Sequence, residues 1–176
     1  MRLTILLPLC CAIAVPAQAQ SGITGIHINL PTASSAPVGG YGPDNFRSAG
    51  NGMFHDIRQA QTLIASGDYM QADSLLATLV GRTSSRQVRF LKGVAKLGLG
   101  DAEAARRYFE MSLYRGRNGN PGAMSGLALA EIRLGNRDAA QGILEKLRYQ
   151  RARCDDNCDR AAPLEQAVAV VEKALT

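Results

Sequence analysis

Two cysteines with three residues between them, in Cys154-Asp155-Asp156-Asn157-Cys158, are the side chains of this chain best placed to do chemistry. In an oxidising compartment such a pair forms a disulfide, and so short a loop would stabilise a fold by about 2 kcal/mol. A redox role fits less well, because thiol oxidoreductases space their cysteines by two residues in a thioredoxin-like setting. A zinc site fits less again. Two thiols do not complete a tetrahedral set, and His27 and His55 lie far upstream. Asp155 and Asp156 offer a cation two carboxylates, too few for a calcium loop. No metal or cofactor is expected. Neither histidine has a cysteine or a plausible nucleophile close by, so a nucleophilic triad has no base. Gly39-Gly40-Tyr41-Gly42 lacks the Lys-Ser/Thr ending of a phosphate loop. These features argue against an enzyme and expect no catalytic residue.

A second candidate is electrostatic. Arg82, Arg86, Arg89, Lys92 and Lys96 recur at steps of four, three, three and four, a basic stripe if one continuous helix carries them. It reads either as a solvated face or as a strip that docks an acidic partner or an envelope polyanion. Arg115 and Arg117 follow in the next connecting segment. Nucleic acid is not expected. Aromatics make up only 5% of the chain, there is no Trp, and the formal net charge is a mild +5.

The elements that must carry these residues begin after a leader. Arg2, the apolar run Leu3 to Val15, Pro16 and the small-x-small site Ala17-Gln18-Ala19 form a secretory signal, residues 1–19. The run is too short to span a bilayer. Leu9 ahead of Cys10 stands where a lipid-attachment site requires a small residue. The mature chain is thus expected to be periplasmic or secreted, with membrane contact only through the leader. Residues 20–52 are rich in Gly, Ser, Pro and Ala and read as a flexible linker. Within it, Ile23, Ile26, Ile28 and Leu30 form a small apolar cluster, either a recognition segment or a plain part of the tail.

From Met53 the period becomes helical, and its breaks repeat. Gly67-Asp68, Gly100-Asp101 and Gly135-Asn136 lie 33 and 35 residues apart. Each pairs a glycine suited to a left-handed helix end with a residue able to cap the next helix. Five residues after each glycine stands an alanine: Ala72, Ala105 and Ala140. Nine after it stands a bulky residue: Leu76, Phe109 and Leu144. Seven before it stands a small one: Ala60, Gly93 and Ala128. Small residues let two antiparallel helices approach, and the bulky one fills the gap toward the next unit.

This pattern resembles the tetratricopeptide repeat (TPR) family from Met53 to Tyr149, most clearly in Phe90-Leu91-Lys92-Gly93-Val94-Ala95-Lys96-Leu97-Gly98-Leu99-Gly100-Asp101. It departs from the family where Asp56, Arg89 and Met124 take the places of the usual early aromatic. The usual proline after the second helix is also missing. The resemblance implies an all-α fold of about three helix-turn-helix repeats (53–83, 86–117 and 121–153) in a right-handed solenoid, within a domain 53–176. Leu164, Val168, Val171 and Leu175 share a face in a capping helix at about 160–175. It also implies a groove lined by first helices: Phe54, Ile57, Gln61 and Ile64, then Phe90, Val94 and Leu97, then Ser125, Leu129, Ile132 and Arg133. Several of these residues also fit a core. The function expected is a non-catalytic scaffold that binds a protein or peptide partner in the cell envelope. The alternative is an envelope polyanion-binding or self-assembling structural protein that uses the basic stripe. Processing after Ala19 is directly testable: N-terminal sequencing of the exported protein should begin at Gln20, and a sequence beginning at Met1 would remove the basis for export.

Overall fold

The computed structural model describes residues 45–113, 119–154 and 158–176, and among them the chain forms seven helices and no strand. The leader, the apolar cluster at 23–30, most of the linker, and Arg115 and Arg117 lie outside the described residues. The helices are α1 (Asn45–Ala65), α2 (Tyr69–Arg82), α3 (Arg86–Gly98), α4 (Ala102–Ser112), α5 (Pro121–Arg133), α6 (Arg137–Ala152) and α7 (Ala161–Leu175). The all-α expectation holds.

Three turns of one design join α1 to α2, α3 to α4, and α5 to α6. Gly67, Gly100 and Gly135 have φ of 82°, 83° and 83°, a left-handed conformation that glycine adopts without a Cβ penalty. In each turn the glycine amide bonds the carbonyl three residues back, and the next amide bonds the carbonyl five back. Asp68→Leu63, Asp101→Lys96 and Asn136→Glu131 are the longer bonds, at 2.8, 3.0 and 2.9 Å. This pairing satisfies carbonyls that a helix end otherwise leaves open. Asp68 and Asp101 then accept hydrogen bonds from the amides of Gln71 and Ala104, capping α2 and α4 as their types suggest. Asn136 does not. Its amide group donates instead to Glu131 at 2.7 Å, because that buried carboxylate stands just over one turn earlier. Asn120 caps α5 ahead of Pro121 by accepting from Gly122 and Ala123.

The repeated small and bulky residues form the contacts between helices. Ala60, Ala72, Ala105, Ala128 and Ala140 are fully buried, as are Leu76 and Phe109. Phe109 lies between two glycines. A Cβ on Gly93 of α3 would sit 2.9 Å from its ring, and one on Gly126 of α5 would sit 2.5 Å from it. One ring thus joins three helices across two hairpins. Each helix packs on its neighbours in sequence, and the first helices also touch in series: α1 on α3, α3 on α5, and α5 on α7. One core spans α1 to α5, and a second, with Met124, Leu144, Leu147, Leu164 and Val171, spans α5 to α7.

One boundary differs from the sequence reading. Helix α1 begins at Asn45 rather than Met53. Gly50 and Gly52 fall in the stretch that reads as a linker, yet adding residues to an established helix costs far less than starting one. The register of the buried part, Ile57, Ala60 and Ile64, is unaffected.

Replacing Gly126 with alanine should lower stability by about 1–3 kcal/mol, because the added methyl overpacks against Phe109. Gly142, on α6 with no atom within 4 Å of an added Cβ, is the control. Its alanine variant should be unchanged or stabilised by up to about 1 kcal/mol. Thermal melting followed by circular dichroism reads both.

Candidate interaction surface

The sequence expects the first helices of the hairpins to line a groove, and the structure divides those residues into a buried set and an accessible set. Ile57, Ile64, Phe90, Val94 and Leu97 belong to the first core, each less than 9% exposed. Phe90 packs tilted on Phe109, with ring centroids 6.0 Å apart, and its edge meets the first turn of α5 at Gly122. Five apolar positions assigned to an open groove are therefore packing residues. The reason is that α3 is central and contacts α1, α2, α4 and α5. Val88 and every residue from Phe90 to Ala95 are buried.

What remains accessible lies to either side of α3. Phe54 of α1 is 69% exposed, and Gln61 is half-buried. On α5, Ser125, Leu129 and Ile132 are half-buried, and Arg133 is exposed. Leu129 leans on the first core and Ile132 on the second. Arg133 crosses from α5 to α3 and donates a hydrogen bond to the Leu97 carbonyl. Partial burial pushes its guanidinium down from the usual arginine range, and Tyr69 nearby opposes that shift. Tyr69 itself lies on Gly98, where a Cβ would fall 2.4 Å from its ring. The end of α3 is thus clamped between Tyr69 of the first hairpin and Arg133 of the third.

The basic stripe is not one surface. Lys92 is buried; its Nζ lies 2.8 Å from Asp73 Oδ1 and donates to the Asp73 carbonyl at 2.6 Å. Lys96 lies 3.4 Å from the other Asp73 oxygen and 3.7 Å from Asp101. Both lysines thus tie α3 to α2, and Lys96 also reaches the cap of α4. Only Arg82, Arg86 and Arg89 face outward, with Arg89 half-buried. The spacing had placed five cations on one face but held no sign that Asp73, 19 residues before Lys92, would draw two of them inward.

Cys154 and Cys158 are joined as a disulfide, with Cα atoms 5.7 Å apart. Arg160, two residues on, donates to the Gly119 carbonyl at 2.6 Å and to Gln150 at 3.1 Å. At the other end of the cap, Arg137 donates to the Leu175 carbonyl. Neither arginine stood out in the sequence, because each pairs with a carbonyl about 40 residues away. His55 is exposed beside Asp56. Among the described residues, no group of three or more His, Cys, Asp and Glu is placed to hold a metal ion. No helix among them is long and apolar enough to cross a membrane. Comparison with family models, curated proteins and solved structures finds no match to this chain.

The Lys92–Asp73 pair makes a sharp stability prediction. Asp73→Ala strands a buried ammonium and should cost about 3 kcal/mol. Lys92→Met keeps the volume without the charge and should cost far less. Urea denaturation of the two variants gives the comparison.

Proposed function

We infer that this chain is an exported, non-catalytic scaffold of TPR-like helix pairs, in a right-handed solenoid, that binds a protein or peptide partner in the cell envelope. One observation carries the reading. Three hairpins with matching turns pack in series through their first helices, the arrangement that presents a continuous helical surface to a partner. A capping helix that covers the last hairpin agrees with it. The leader carries the proposed address, and the Cys154–Cys158 bridge is consistent with an oxidising compartment.

The partner would contact Phe54 and Gln61 on one side, and Leu129, Ile132 and Arg133 on the other. Phe90, Val94 and Leu97 would shape the floor between them. An exposed Phe with polar Gln61 two turns further along the same helix suits an anchor contact better than a broad apolar strip does. The polyanion reading is weaker, since Lys92 and Lys96 are already paired to carboxylates.

The test is capture from envelope extract by wild type and by a variant carrying Phe54→Glu and Gln61→Glu. Both positions reach solvent, so the fold should persist, whereas Phe90→Glu would bury a carboxylate. Met111→Glu, at an exposed position on α4, serves as the control. The double variant should lose at least about tenfold of a specific partner at moderate salt, with the control unchanged. Equal recovery by all three forms would remove the groove reading. Recovery that collapses with salt for every form would favour the arginines instead.

A further inference from the structure

The capping helix is held to the third hairpin by two kinds of contact. Along its length, Leu164, Ala167 and Val171 are buried against α5 and α6, beside Met124, Ala128, Leu144 and Leu147. Glu172 accepts from Arg148 at 2.7 Å. Where it begins, its position is set by the bridge. Cys154, at the end of α6, is buried in the same core, and Cys158 is half-buried. Arg151 donates to the Cys154 carbonyl at 3.1 Å, which fixes the first sulfur to its helix. Two residues past the second sulfur, Arg160 reaches both Gly119, just ahead of α5, and Gln150 on α6. The covalent link and the Arg160 fork therefore act on one point, the entry to α7.

We propose that the Cys154–Cys158 bridge is a redox-controlled lock on this helix: oxidised, it holds α7 down, and reduction by a dithiol donor makes α7 open from the face of α5 and α6 about 30-fold more often. A donor thiolate attacks Sγ of Cys158, the less buried of the two cysteines. The S–S bond breaks, and its electron pair goes to Cys154 Sγ, which takes up a proton. The donor's second thiolate then attacks the mixed disulfide, releasing Cys158 as a thiolate that is protonated in turn. The protein gains two electrons and two protons, and the donor becomes a disulfide. Each opening bares Met124, Ala128, Leu144 and Leu147, the apolar face on which α7 packs. The first core, which α7 does not share, is left intact.

The proposal rests on the bridge, so peptide mass mapping of protein isolated without reductant comes first. Two free thiols at Cys154 and Cys158 would overturn it. Amide hydrogen exchange is then compared before and after reduction. Closing a five-residue loop corresponds to about a 30-fold change in the opening equilibrium. Amides of α7 should therefore exchange about 30-fold faster on reduction, with α1 to α4 unchanged. Unchanged α7 exchange, or equal acceleration in every helix, would overturn the proposal. The double variant Cys154→Ser, Cys158→Ser should match reduced wild type whether or not reductant is present. A reductant effect that persists in that variant would also overturn it.

Discussion

Helices cannot stack closely where two side chains compete for one space, and Phe109 shows how this chain resolves that conflict. Its ring fills room that Gly93 and Gly126 leave vacant on helices from two successive hairpins. A methyl group at either glycine would fall within 3.0 Å of the ring. Much else follows from that fit. It sets how near α3 and α5 can come, and so whether the first helices form one surface. It fixes α4 across the joint between units. It also places Phe90, which packs on the same ring, toward the interior.

The three pairs among the described residues have a particular consequence. The central first helix has neighbours on both sides along the stack and a second layer behind it, so α3 is spent on packing. A longer array would repeat such helices and leave a wide surface between its ends. Here the accessible side chains among the first helices come largely from the flanking helices α1 and α5, with α3 mostly buried between them. The two ends also differ. Beyond the third hairpin, α7 covers the second core, whereas α1 carries Phe54 into solvent.

The periodic features of this fold were legible in the sequence because periodicity is a local signal. Glycines about 34 residues apart, an alanine five later and a bulky residue nine later specify turn, approach and filling without any tertiary knowledge. The buried set Ala60, Ala72, Ala105, Ala128 and Ala140 follows from that register alone. What the sequence hid was which way a side chain turns once two helices meet. The spacing of Arg89, Lys92 and Lys96 is the same for a solvated face and for one answered by Asp73. The apolar positions of α3 have the same spacing whether a partner or the next helix covers them. Arg133, Arg137 and Arg160 each bond a carbonyl 36 to 41 residues distant, a pairing that no window of sequence contains.

If the hairpins stack as described, the Phe109 ring must lie against two α-carbons at once. Nuclear magnetic resonance reads this directly, through Overhauser contacts from the ring protons and through ring-current shifts. The account predicts strong contacts from Phe109 to the Hα protons of both Gly93 and Gly126, with those protons shifted from their ordinary positions. Contacts to Gly93 but not to Gly126 would leave the hairpins as separate units side by side, and the continuous surface would be lost with them.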